Sequence, residues 1–77
     1  MMDKTFTKTE LAQYDGQDGR KQYVAIDGIV YDLTGFKAWA SNNHHGNHPG
    51  QDLSEQIMKS PHKKNVLSKL TIVGKLA

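Results

Sequence analysis

The stretch that most constrains this chain is a pair of β-rich runs joined by Asp-Gly. Tyr23-Val24-Ala25-Ile26 and Ile29-Val30-Tyr31-Asp32-Leu33 are built largely from β-branched and aromatic residues, and only Asp27-Gly28 separates them. A two-residue connection of this kind suits a type I′ turn, in which both central residues take positive φ, so the segment is predicted to be a β-hairpin. A hairpin alone is marginal in water, and the rest of the chain must cover it.

The flanking segments supply short helices. Thr7-Lys8-Thr9-Glu10 fits a capping box, and Leu11 and Tyr14 then share one helical face. The run Asp15-Gly16-Gln17-Asp18-Gly19 ends that helix in turn chemistry. Thr34 to Ala40 reads as a short helix or turn with Phe36, Trp39 and Ala40 on one side. Residues 41–51, rich in Asn, His and Gly, have no apolar periodicity and read as loop. Asp52 is predicted to cap a further helix, with Glu55 three residues on and Leu53 and Ile57 as an i,i+4 pair. Pro61 ends it and leaves His62 just beyond. A last short helix, Asn65 to Leu70, precedes a β-like run from Thr71 to Leu76. Short helices set between a hairpin and a terminal strand predict an α+β fold in a single domain, residues 1–77.

With 77 residues, 36% of them hydrophobic, and one Trp, three Tyr and two Phe, the core is expected to be thin. A bound apolar cofactor would add packing that the side chains supply sparingly. The chain has no cysteine, which excludes disulfides, thiolate zinc sites, iron–sulfur clusters and covalent c-type haem. No apolar run approaches the ~20 residues of a membrane span, and the first residues lack the apolar stretch of a secretory signal. A cytoplasmic protein with no membrane span, and a monomer, is the expectation. A net charge of +2 is too small to argue for nucleic acid. The charge is uneven, however: no acidic residue follows Glu55, whereas Lys59, Lys63, Lys64, Lys69 and Lys75 do. The C-terminal third is a basic surface, either simply solvated or attractive to an acidic redox-partner protein.

All four histidines fall between positions 44 and 62. Three lie in a polar loop and His62 just after a helix end, and the plainest reading of any one of them alone is a surface residue. His44, His45 and His48 could instead form a divalent metal site, because imidazole suits zinc, copper and nickel. Gly46, Pro49 and Gly50 argue against the helix that would align them, and no carboxylate lies within the cluster. A third reading places two histidines from separate segments on opposite faces of a haem, which saturates the iron's axial positions and favours electron transfer. Nothing resembles a Gly-x-Ser-x-Gly elbow and there is no cysteine nucleophile, so no hydrolase is indicated and the chain is not expected to be an enzyme.

Several spaced motifs, in order, resemble cytochrome b5 domains. Val24 to Thr34 resembles their hairpin and Tyr-Asp-Leu-Thr stretch, and Pro49-Gly50-Gln51-Asp52-Leu53-Ser54 resembles their Ala-Gly-x-Asp-Ala-Thr motif. Leu67 to Leu76 is similar to their last helix and strand, and Phe6 to Leu11 to their opening. His62 stands where those domains carry the second haem-ligating histidine. The departure is at the first ligand. Their His-Pro-Gly-Gly motif lies some two dozen residues before the second histidine, whereas His48-Pro49-Gly50 is too close and its Pro-Gly belongs to the later motif. The short loop is similar to that of membrane-associated progesterone receptor relatives, in which a haem-ligating Tyr directly precedes a glycine shortly before Gly-x-Asp. That position is His45 here, followed by Gly46, with His44 and His48 as alternatives.

The resemblance implies a cytochrome b5-like fold, a small sheet with paired short helices forming a haem cleft. It further implies non-covalent haem b, bis-histidine ligation by His45 and His62, and one-electron transfer. Binding of haem, a steroid or another apolar ligand without a redox cycle is the alternative. Phe36, Trp39, Leu53, Ile57, Leu67 and Leu70 are candidate pocket walls, a role compatible with ordinary core packing.

Overall fold

The computed structural model of the chain describes residues 4–44, 46–60 and 62–77. Strand β1 (Thr5–Phe6) leads into helix α1 (Lys8–Ala12) through the capping box: Glu10 N–H donates to Thr7 Oγ1 at 3.0 Å and Thr7 N–H donates to Glu10 Oε1 at 3.0 Å. The hairpin forms as its residues require, with β2 (Tyr23–Ile26) antiparallel to β3 (Ile29–Asp32). Asp27 and Gly28 take φ values of 50° and 82°, the left-handed pair that a type I′ turn needs. The terminal run forms β4 (Thr71–Leu76), which pairs antiparallel with β3 on one side and parallel with β1 on the other. The sheet order is therefore β1-β4-β3-β2.

Two expected boundaries shift. Helix α2 spans Ser54–Met58 with Leu53, not Asp52, at its cap position. The segment before it pairs along β2: Gly50 N–H donates to Tyr23 O, Ala25 N–H to Gln51 O, and Leu53 N–H to Ala25 O. A backbone committed to β2 as far as Leu53 cannot begin helical turns sooner, and the Asp52 carboxylate instead accepts from Ser54 N–H at 3.1 Å. The helix predicted over Asn65 to Leu70 is a 3₁₀ helix, Lys63–Lys69, because Asn65 N–H already closes a turn on His62 O. The turn after Thr34 is likewise a 3₁₀ turn, Lys37–Trp39. Pro61, expected to end α2, lies outside the described residues.

Alternation along the strands separates two cores, one on each face of the sheet. Tyr23, Ala25 and Val30 pack with Phe6 and Leu11 on one side, where Phe6 meets both Tyr14 and Tyr23 edge-on at 5.7 Å. Val24, Ile26 and Tyr31 face the other way and pack with Leu33 and Leu53. Three of the six aromatic residues thus close the first face, and the second is left to half-buried Trp39, Ile57, Leu67 and Leu70. Among the described residues no helix is long and apolar enough to cross a membrane.

Candidate functional site

The second face does not close on itself. It surrounds a cavity of about 560 Å³, within the range of small-molecule and cofactor pockets. Val24, Ile26 and Leu33 form the floor, and α2 with the residue before it supplies Leu53 and Ile57 to one wall. The 3₁₀ helix Lys63–Lys69 and its cap bring Leu67 and Leu70, and the turn around Lys37–Trp39 brings Phe36 and Trp39. All six side chains expected to line a pocket do so. The floor residues were readable from the strand alternation, which sends Val24 and Ile26 to the face opposite Tyr23 and Ala25.

Two histidines enter this apolar cavity from separate segments, His44 and His62. Their ring centroids lie 6.3 Å apart, with planes inclined by 19°. His62 is half-buried, and its Nδ1 lies 2.7 Å from Lys63 O and 3.2 Å from Ser60 Oγ. A carbonyl oxygen can only accept, so Nδ1 carries the proton in the neutral ring and donates it. The lone pair is then on Nε2, the tautomer that a metal-ligating histidine with a backbone partner adopts. The Ser60 hydroxyl donates to Ile57 O at 2.6 Å and accepts from Lys63 N–H at 3.0 Å, which ties the His62 turn to the end of α2.

His44 packs beside Trp39, with centroids 5.1 Å apart, and its backbone exchanges two hydrogen bonds with Asn47. The loop bearing it is held from the sheet. Gln22, a buried polar residue immediately before β2, donates from Nε2 to Trp39 O at 2.5 Å and to Asn42 Oδ1 at 2.6 Å. Asn42 donates in turn to Gly16 O. Sequence reasoning missed this clasp, although a glutamine immediately before a buried strand was its available signal.

His48 is exposed, has Nδ1 2.9 Å from Asn42 O, and does not line the cavity. His45, the first choice for the partner of His62, lies outside the described residues. Among the described residues no three histidine or carboxylate side chains converge to hold a metal ion; the loop cluster of His44, His45 and His48 includes His45, which lies outside them.

A family model described as the cytochrome b5-like heme/steroid binding domain matches residues 7–77. The chain belongs to this family. The cytochrome b5 fold is borne out by solved relatives. A Hadesarchaea cytochrome b5 domain protein is 45% identical, with 96% of this chain and 99% of that one covered and a TM-score of 0.89. A Methanococcoides burtonii cytochrome b5 domain protein is 41% identical, with 97% and 99% covered and a TM-score of 0.90. No curated protein matches the chain. In this cytochrome b5-like domain, an apolar cavity on the second face of the sheet is lined by two imidazoles from separate segments.

Proposed function

We propose that this domain holds haem b non-covalently in the cavity, with His44 and His62 as axial ligands, and serves as a one-electron carrier rather than an enzyme. The observation that carries this reading is the 6.3 Å between the two ring centroids. A ligating imidazole nitrogen sits about 2 Å from its metal, and a five-membered ring with bonds of about 1.3 Å places its centroid about 1.1 Å further on. Two imidazoles on opposite sides of one metal therefore have centroids about 6 Å apart.

Held by these two histidines, a haem would supply a reversible one-electron couple. The protein's own part is to orient and to exclude water. The Nδ1–H bond from His62 to Lys63 O fixes that ring's tautomer and direction, and Trp39 supports the His44 ring. Leu53, Ile57, Leu67 and Leu70 shield the cavity's interior from water. Lys59, Lys63 and Lys69, exposed on the segments around it, fit an acidic redox partner.

Reconstitution of the purified protein with haemin tests the reading. A low-spin ferric spectrum is expected, converted to high spin by His44→Ala or His62→Ala and retained in His48→Ala. A wild-type protein without a low-spin complex overturns it. If His45→Ala gives the high-spin form and His44→Ala does not, His45 is the ligand and haem binding stands.

A further inference from the structure

The cavity is almost wholly apolar, and its polar lining is unevenly charged. Among the described residues, Lys59 is the one Lys, Arg, Asp or Glu side chain that lines it. Lys59 caps the C-terminus of α2, its backbone N–H bonded to Gln56 O and Ile57 O, so its Cα is fixed at the rim while its side chain remains exposed. The ion pairs among the described residues join Lys4 to Glu10, Arg20 to Asp15 and Asp18, and Lys64 to Asp27. Lys59 belongs to none of them, and Glu55, one turn earlier on the same helix, does not engage it.

An apolar cavity with a cation at its mouth and no anion is complementary to a molecule with an apolar body and an anionic edge. We propose that Lys59 is an anion subsite, so that the ligand carries a carboxylate at the mouth and a neutral polycyclic molecule such as a steroid is disfavoured. This inference rests on the haem reading and deepens it, because the propionates of haem b are carboxylates on one edge of an apolar macrocycle. The amides of Asn47 and Gln56 also line the cavity and offer donors to the same kind of edge.

The test compares haemin with its dimethyl ester, which keeps the iron and the macrocycle and removes both negative charges. Binding is followed by quenching of Trp39 fluorescence, and spin state by absorbance. Wild-type protein is expected to prefer haemin by about threefold to fivefold, the scale of one exposed ion pair. The preference should shrink as salt is raised. Lys59→Gln should abolish it by weakening haemin alone, whereas Lys59→Arg and Lys8→Gln, a charge-matched change on α1 across the sheet, should retain it. Equal binding of haemin and ester by wild type, survival of the preference in Lys59→Gln, or a neutral steroid bound as tightly as haemin would each overturn the subsite. The salt dependence in wild type decides the matter even if a variant folds poorly. Low-spin complexes with both porphyrins and no preference remove the Lys59 subsite and leave the haem reading intact. Binding of both without a low-spin spectrum removes the bis-histidine reading, and no binding of either removes both.

Discussion

Replacing Gln22 with alanine tests whether the sheet positions the His44 loop. The Gln22 amide donates two hydrogen bonds, to Trp39 O and Asn42 Oδ1, from a residue that is 8% exposed. Each such bond contributes a net ~0.5–1.5 kcal/mol, and acceptors left facing a void cost somewhat more, so the loss should be about 2–3 kcal/mol. A domain of this size has a total stability of only about 4–12 kcal/mol, and the midpoint of thermal unfolding should fall by about 10 °C or more. The main-chain bonds of Gln22, from its N–H to Thr34 Oγ1 and from Leu33 N–H to its carbonyl, survive the substitution, so the hairpin should persist. Amide exchange should then quicken at Asn42 and His44, whose N–H groups bond within the loop, while Ala25 and Leu53 stay protected. Haemin affinity should fall in parallel, because the ligand must then order the loop itself. Gln22→Glu sharpens the test by replacing a donor with an acceptor opposite two oxygens. The introduced carboxyl should have a raised pKa, so stability is highest below its unfolded value and is lost as pH rises through the folded one. A thermal shift below about 3 °C, or exchange that quickens equally across hairpin and loop, would refute the clasp.

The remaining predictions concern the other face of the sheet. A Cβ at Gly74 would lie 2.4 Å from Lys4 O and 2.8 Å from Phe6 Cε1. Gly74→Ala should therefore cost at least about 1–3 kcal/mol by forcing β1 from β4, and an unchanged denaturation midpoint would contradict that packing. The backbone N–H of Thr7, and then the Lys4 ammonium, hold the Glu10 carboxyl below the usual carboxylate range. Its contribution is present above the unfolded pKa and lost as pH falls through the depressed folded one. Glu10→Gln should accordingly flatten the loss of stability in urea titrations between about pH 5 and pH 3, and acid limbs that run parallel for the two proteins would count against it.

What was readable from sequence lies within a few residues of itself. The Asp27-Gly28 turn and the Thr7–Glu10 capping box depend on local backbone geometry and near neighbours, and both formed as expected. The apolar wall residues were readable for a related reason. A large apolar side chain on a short amphipathic segment has one favourable direction, towards the sheet, and that is where the cavity lies. The likeness to cytochrome b5 domains was equally a property of the sequence, because it rests on the order of several local motifs.

Contacts between distant segments decided the rest. Helix α2 starts at Ser54 because Gly50 to Leu53 hydrogen-bond along β2, some twenty-seven residues earlier in the chain. The parallel pairing of β1 with β4 joins the two ends of the described chain, and no local propensity encodes it. The residue types in the loop do not say that the His44 ring lies beside that of His62. His44 reaches the cavity on a loop held by Gln22, Asn42 and Gly16, three residues spread over twenty-six positions. A side chain's direction on an irregular loop follows from where the backbone is anchored, and here the anchors lie on the sheet and in the turn before it, which only the folded chain brings together.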